Sequence, residues 1–141
     1  MPEEKLSPEK QAEGFSIARE KQAVALMEDY VELIAELTDE LGEARVADIA
    51  ERMGVAQPTA TKAIARLKRE GLATSRPYRG VFLTAEGAQM AKFVYERHRT
   101  LVGVLMKIGV SKQAAEIDAE GIEHFVSDET LAAFKKFLSD T

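Results

Sequence analysis

Two carboxylates and a histidine stand close together near the C-terminal end of the sequence. The stretch Asp118-Ala-Glu-Gly-Ile-Glu-His124 predicts a helix, on which Glu120, Glu123 and His124 occupy positions i, i+3 and i+4 and leave one face. Two carboxylates and one imidazole that converge in this way suit a divalent cation. The alternative is an exposed acidic helix face that binds nothing.

Three further side chains could complete a metal site. Asp29 and Glu32 lie on a predicted helix from Lys21 to Leu41, with Asp29 at the edge of its apolar stripe. His98 lies on the apolar line of a second predicted helix, Ala85 to Ile108, and is one of two histidines in the chain. Solvated acidic pairs and core histidines are the commoner alternatives for such residues.

Composition limits what kind of site this can be. The chain of 141 residues can bury one core, or two small subdomains that share one. The absence of cysteine excludes disulfides, thiolate metal sites and cysteine nucleophiles, which leaves Asp, Glu, His and carbonyl groups as metal donors. Since the sequence has neither a signal peptide nor an apolar run long enough to span a bilayer, we expect a cytoplasmic protein.

Positive charge is concentrated in the middle of an acidic chain. The net charge is −5, yet the segment 45–80 carries a balance of +5, so the remainder carries −10. Its basic residues are Arg45, Arg52, Lys62, Arg66, Lys68, Arg69, Arg76 and Arg79. Such asymmetry predicts that this segment contacts a polyanion, although the total charge argues against one.

The basic segment has the pattern of a helix-turn-helix. A short helix in Ala44–Val55 is ended by Gly54, and a second helix opens at Gln57 and Pro58 and runs to about Glu70. Small polar side chains at its start allow close approach to base edges in the major groove. The candidate DNA contacts on this helix are Gln57, Pro58, Thr59, Thr61, Lys62 and Arg66. A helical hairpin that binds nothing is the alternative.

A β-hairpin is predicted directly after the second helix. Residues 72–76 and 80–84 alternate as short strands around Pro77-Tyr78-Arg79. Because an isolated two-stranded ribbon needs a helix to pack against, the pattern predicts a winged helix. Arg76 and Arg79, near the tip of the wing, would contact phosphates or the minor groove.

The whole chain is therefore predicted to be mainly α, with three parts. Residues 1–20 form an N-terminal arm, which starts a short helix at Ser7-Pro8 and is interrupted at Gly14. Residues 21–87 form the winged helix-turn-helix domain. Residues 88–141 form an all-helical domain, whose last two helices are capped by Ser111 and Ser127. The last helix has an apolar stripe that closes the core or pairs subunits.

Four motifs in this order resemble the diphtheria-toxin-repressor family, in its branch of manganese transport regulators. The resemblance runs from about Ala25 to the C-terminus. The motifs are Met27-Glu-Asp-Tyr-Val-Glu32, Tyr78-Arg-Gly-Val-Phe-Leu-Thr84, Tyr95-Glu-Arg-His98 and the stretch that ends at His124. One departure is Phe125, where members of this branch often have a second histidine.

The resemblance implies a homodimeric repressor of manganese uptake genes that binds operator DNA when Mn²⁺ is bound. It implies two Mn²⁺ ions per subunit, with Glu32 and Glu123 at the bridging positions. Carboxylates at Asp29 and Glu120, where iron-responsive relatives have sulfur, point to manganese. Fe²⁺, Co²⁺ and Cd²⁺ are further ions that could bind in vitro. The implied ligands are Asp29, Glu32, His98, Glu120, Glu123 and His124.

Three other functions are open to a chain of this composition. A winged-helix regulator could respond to an organic ligand instead of a metal. A small metallohydrolase could use paired metals to activate water, although the sequence offers no acid or base beyond the candidate ligands. A purely structural dimerisation protein would leave the basic segment unexplained. We therefore expect a regulator with no membrane partner, no organic substrate and no enzymatic activity.

Overall fold

The computed structural model describes residues 2–140 and confirms a mainly helical protein with one small sheet. Its elements, in chain order, are α1 (Pro8–Leu41), α2 (Val46–Met53), α3 (Gln57–Arg69), β1 (Ala73–Arg76), β2 (Gly80–Leu83), α4 (Ala85–Lys107), α5 (Lys112–Ile122), a 3₁₀ turn (Glu123–Phe125) and α6 (Asp128–Ser139). Among the described residues no helix is long and apolar enough to cross a membrane.

Helix α1 is longer than its sequence pattern predicted. It begins at Pro8, where the Ser7 hydroxyl accepts a hydrogen bond from the Lys10 N–H at 3.3 Å, as expected. The predicted interruption at Gly14 is wrong, because the helix continues through this residue to Leu41. A glycine inside a helix costs only about 1 kcal/mol relative to alanine, which the neighbouring helix formers tolerate. Gly42, with φ of 80°, then ends the helix.

The core of the N-terminal half is built on the C-terminal part of α1. Tyr30, Ile34 and Leu37 are almost fully buried and pack in one cluster with Ile49 of α2 and Leu67 of α3. The predicted apolar stripe of α1 is narrower than its sequence suggested. Leu26 and Leu41 have the three- and four-residue spacing of that stripe, yet they are 49% and 57% exposed.

The hairpin is attached to the segment that precedes α2. Strands β1 and β2 are antiparallel, and the Val81 N–H donates to the Ala44 carbonyl at 2.8 Å. Gly80 has φ of +93°, and a Cβ there would lie 2.5 Å from the Ala44 oxygen. Only glycine fits this position, because both the backbone conformation and the close approach exclude a side chain.

Helix α4 carries the chain into a second, smaller core. Leu101 and Val102 of α4 pack there with two alanines of α5 and with Leu131 of α6. The serines predicted as caps, Ser111 and Ser127, accept hydrogen bonds from the N–H groups of Ala114 and Thr130, respectively. Since α4 contacts α1 as well as α5 and α6, it connects the two halves of the molecule.

Candidate metal centre and DNA-binding surface

The predicted metal ligands converge where α1, α4, α5 and the 3₁₀ turn meet. They form two groups, and within each group the donor atoms lie within 4.8 Å of one another. The first group comes from Asp29, Glu120 and His124, and the second comes from His98, Glu120 and Glu123. Glu120 belongs to both groups. The fold thus brings together five of the six candidate ligands, which come from segments far apart in sequence.

Glu32 is the candidate ligand that stands outside both groups. It lines a cleft beside them, together with Asp29, Glu36 and Glu120. The resemblance assigned the bridging positions to Glu32 and Glu123. In the structure the residue common to both groups is Glu120, while Glu123 lies between the histidines, with Oε2 at 2.8 Å from Nδ1 of His98 and Oε1 at 3.7 Å from Nε2 of His124.

The helix predicted through the last candidate ligands ends early. Helix α5 stops at Ile122, and Glu123 and His124 lie in the 3₁₀ turn. The prediction of one α-helix through all three residues is therefore wrong at Glu123 and His124. The expected convergence of the side chains is nevertheless observed, since Glu120 lies close to His124 in one donor group and close to Glu123 in the other. Glu123 itself keeps helical backbone angles, φ −55° and ψ −34°, and its N–H donates to the Ala119 carbonyl, so its side chain stays on the side of the helix that meets Glu120. Glu123 is completely buried, whereas Glu120 is exposed.

Each histidine contacts another candidate ligand with one ring nitrogen. Its other ring nitrogen contacts a carboxylate that is not a candidate ligand. For His98, Nδ1 faces Glu123 and Nε2 lies 2.7 Å from Oε2 of Glu116. For His124, Nε2 lies 2.8 Å from Oδ1 of Asp29, and Nδ1 lies 3.1 Å from Oε1 of Glu28. Glu28 also forms a buried ion pair with Arg97, at 3.0 Å.

Two buried atoms at the centre of the site lack hydrogen-bond partners. These are Oε1 of Glu123 and Nε2 of His124; within residues 2–140 the same is true of a third buried side-chain atom, Nε of Arg97. Nε2 of His124 lies 2.8 Å from Oδ1 of Asp29, but the contact does not have hydrogen-bond alignment. Buried polar atoms are normally paired, because an unpaired one costs about 1–3 kcal/mol. Both atoms are metal-donor types, so a bound cation would satisfy them.

Burial and crowding hold protons on this site at neutral pH. Burial, together with the charges of Glu120 and Glu36, raises the pKa of Glu32 to about 7. Burial likewise raises the pKa of Glu123 to about 7, although His98 opposes the shift. Burial alone would lower the pKa of His124, but its contacts with Asp29 and Glu28 outweigh this effect and raise it to about 10.

These shifts predict how pH changes the stability of the metal-free protein. The pKa values of Glu32, Glu123 and His124 are all higher in the folded chain than the usual 4.5 or 6.5. The folded state therefore binds more protons than the unfolded state between pH 5 and 8, and stability must fall as pH rises through this window. We expect the midpoint of thermal unfolding in chelator to drop by about 5 °C from pH 5 to pH 8.

With Mn²⁺ at a fixed free concentration, the dependence on pH should reverse. The candidate ligands would bind the cation in their deprotonated form, so its stabilising effect should grow as pH rises and protons are released. Scanning calorimetry at pH 5, 6, 7 and 8, with chelator and with Mn²⁺, measures both trends. A metal-free midpoint that rises from pH 5 to 8 would contradict the assigned shifts.

Sequence reasoning missed Glu28, Arg97 and Glu116. A usable signal existed for the first two, because each charge falls at helical spacing on a buried apolar line. Glu28 is three residues from Val31, and Arg97 is three residues from Val94. A charged residue on such a line predicts a buried partner of opposite charge. Glu116 is exposed, and nothing in its spacing distinguishes it from a solvated residue.

The predicted DNA contacts on α3 lie on its open side. Helix α3 begins at Gln57 with Pro58 in its first turn, while Ala60, Ile64 and Leu67 face the core. The side chains predicted to contact DNA at its start are exposed, and Arg66 is half-buried. These exposed residues are Gln57, Pro58, Thr59, Thr61 and Lys62. The N-terminal end of this helix is therefore free to enter a groove.

The wing presents two arginines and a tyrosine. The guanidinium carbons of Arg76 and Arg79 lie 4.7 and 5.4 Å from the ring centroid of Phe82, which orients both charges near the tip. Tyr78, which sequence reasoning did not select, is 98% exposed and has φ of 64°. This conformation turns the chain sharply and directs the phenol away from the protein, beside the arginines.

Comparison with protein families matches almost the whole chain. Residues 22–81 match the model of the iron dependent repressor, N-terminal DNA binding domain. Residues 84–141 match the model of the iron dependent repressor, metal binding and dimerisation domain. The junction between the two matches falls at Thr84, the N-cap of α4.

Individual relatives agree with the family matches. The transcriptional regulator MntR of Escherichia coli O157:H7 is 49% identical over 132 residues, which are 94% of this chain and 85% of that protein. Solved structures of the manganese regulator SloR (TM-score 0.69, 31% identity) and of a manganese-dependent transcriptional repressor in complex with manganese (TM-score 0.69, 29% identity) each align with 79% of this chain. This chain spans only about half of each of those two structures, 53% and 52%.

Proposed function

The chain belongs to the iron-dependent repressor family, in its MntR branch, and we propose that it is a cytoplasmic homodimer that represses manganese uptake genes when Mn²⁺ is bound. The observation that carries the proposal is the pair of donor groups joined by Glu120 at the contact between the two halves of the chain. The relatives are transcriptional regulators, so a metallohydrolase is rejected. A regulator that responds to an organic ligand is not favoured.

The donor set fits Mn²⁺. Mn²⁺ is low in the affinity order of divalent ions and is selected by hard oxygen and nitrogen donors, and this chain has no thiolate to favour softer ions. Asp29, Glu120 and His124 would hold one ion, and His98, Glu120 and Glu123 a second, with Glu32 within the same cleft. Fe²⁺, Co²⁺ and Cd²⁺ would compete in vitro.

The site lies where metal binding can be coupled to DNA binding. Asp29 and Glu32 belong to α1, whose C-terminal part forms the core beneath α2 and α3. His98, Glu120, Glu123 and His124 belong to the half that matches a dimerisation domain. When bound, the cations neutralise carboxylates that otherwise repel one another across this contact. Such a link would select dimer geometries in which the two α3 helices fit successive major grooves.

A Mn²⁺ titration of operator binding tests the function. We would measure fluorescence anisotropy at fixed salt, with DNA from upstream of a manganese uptake gene and a scrambled duplex of equal length. Wild type should bind the operator about 5–150-fold more tightly with Mn²⁺ than with chelator, the usual range of such couplings. Glu120→Ala/Glu123→Ala should bind equally weakly in both conditions.

The possible outcomes separate the parts of the proposal. Selective binding that ignores both Mn²⁺ and chelator would retain the DNA-binding regulator and contradict the metal switch. Mn²⁺-dependent binding that survives in the double variant would place the metal elsewhere. Equal affinity for operator and scrambled DNA under every condition would contradict the choice of operator.

A further inference from the structure

A buried carboxylate outside the donor groups contacts the nitrogen of His124 that faces away from them. Oε1 of Glu28 lies 3.1 Å from Nδ1 of His124, and Oε2 accepts a hydrogen bond from Arg97 at 3.0 Å. The side chains of Glu28 and Arg97 are each 7% exposed, and that of His124 is 5% exposed. The three groups come from α1, α4 and the 3₁₀ turn, so their contact fixes these elements relative to one another.

The proton on Nδ1 can be assigned from its two neighbours. A second guanidinium nitrogen of Arg97 lies 3.2 Å from Nδ1, and guanidinium nitrogens can only donate. If Nδ1 accepted from Arg97, its lone pair would face the buried Oε1 of Glu28, which has no other hydrogen bond among the described residues. Two acceptors in contact inside a protein are costly. Nδ1 therefore carries hydrogen and donates it to Glu28.

This assignment determines which nitrogen is available to a cation. With Nδ1–H directed at Glu28, the opposite nitrogen, Nε2, faces Asp29 and is one of the buried atoms without a hydrogen-bond partner. Partners of this kind, outside the ligand set, orient metal-binding histidines and typically change affinity 10–100-fold when removed. Arg97 matters because it occupies Oε2, which leaves a single oxygen of Glu28 for the ring.

We propose that Glu28, held by Arg97, is a positioning residue for His124: it keeps the proton on Nδ1 and so presents Nε2 to the cation. The role rests on the proposed function, since it has meaning only if His124 binds a metal. It also places a buried contact between α1 and α4 directly behind a metal ligand.

The substitution Glu28→Gln tests the role with little change in shape. Glutamine has one accepting oxygen and one donating nitrogen, and the charged Arg97 will attract the oxygen. The amide N–H₂ then faces Nδ1 and forces it to accept, which transfers the ring proton to Nε2. We expect Mn²⁺ affinity, measured by calorimetry on the metal-free protein, to fall about 10–100-fold.

Glu40→Gln is the matched control. It makes the same change on the same helix and neutralises another glutamate that contacts an arginine, Arg52 at 2.7 Å, but at the surface and outside the donor groups. Its Mn²⁺ affinity should equal that of wild type. Circular dichroism of every variant checks that the helical content is retained.

A second substitution should restore the Mn²⁺ affinity that Glu28→Gln removes. In Glu28→Gln/Arg97→Met no guanidinium competes for the glutamine oxygen, so that oxygen can accept the Nδ1 proton again. We expect the double variant to bind Mn²⁺ more tightly than Glu28→Gln. If the two residues served only to stabilise the fold, removing both would weaken binding further.

Nuclear magnetic resonance gives a direct readout of the nitrogen. The chain has two histidines, so ¹⁵N-histidine spectra of the protein loaded with diamagnetic Cd²⁺ are assigned with one His98→Gln sample. Wild type should show Nε2 of His124 bound to metal and Nδ1 protonated, and Glu28→Gln should lose this pattern. Unchanged affinity in Glu28→Gln, or a double variant no better than the single one, overturns the role. A wild type that binds no Mn²⁺ overturns the proposed function itself.

Discussion

Replacing Glu120 by alanine should remove both of the proposed metal positions with one substitution. Glu120 is common to the two donor groups, whereas Asp29 belongs only to the first and His98 only to the second. The Mn²⁺ content of Glu120→Ala after gel filtration should therefore fall close to zero, and Mn²⁺ should no longer tighten operator binding. Asp29→Ala and His98→Ala should each retain roughly one ion per chain, because one group stays complete.

The matched control for Glu120→Ala is Asp118→Ala. It removes the same charge from the same helix, and Asp118 is exposed as Glu120 is, but it belongs to neither donor group. Its metal content and its Mn²⁺-dependent operator affinity should match those of wild type. If Glu120→Ala lost only one ion, Glu123 or Glu32 would be the shared ligand, as the family resemblance implied.

Gly87→Ala should strongly destabilise the DNA-binding half. Gly87 lies in the first turn of α4, and a Cβ at this position would be 2.0 Å from the Leu72 carbonyl oxygen and 3.2 Å from the Leu83 side chain. The obstacle is backbone, so the helix must move away from the hairpin. We expect a loss of about 3 kcal/mol, and a fall in the thermal midpoint of about 10 °C.

Gly14→Ala provides the comparison for that experiment. It introduces the same methyl group into a helix, but nothing lies within 4 Å of the new Cβ. Alanine is favoured over glycine there by about 1 kcal/mol, so the midpoint should stay the same or rise. Thermal unfolding followed by circular dichroism measures both variants. A midpoint for Gly87→Ala within about 2 °C of wild type would show that α4 and the hairpin are not packed as described.

The order and type of the elements could be predicted from the sequence because they depend on local chemistry. Ser7, Thr84, Ser111 and Ser127 cap helices through their own hydroxyls, and Gly42 ends a helix through its positive φ. These interactions reach three or four residues along the chain. Local rules failed at Gly14, which does not interrupt α1, and at Glu123 and His124, where a 3₁₀ turn follows α5.

The sequence by itself determined which donor types this protein offers: carboxylates and two imidazoles, without a thiolate. Only the tertiary structure decided how these donors are divided between the two groups. Spacing along a helix cannot place Asp29 against His124, 95 positions away, nor make Glu120 common to two groups. It also cannot select Glu28 and Arg97 from many charged residues. Those relations are set by how α1, α4 and the 3₁₀ turn pack, because packing of buried side chains fixes distances between residues remote in sequence.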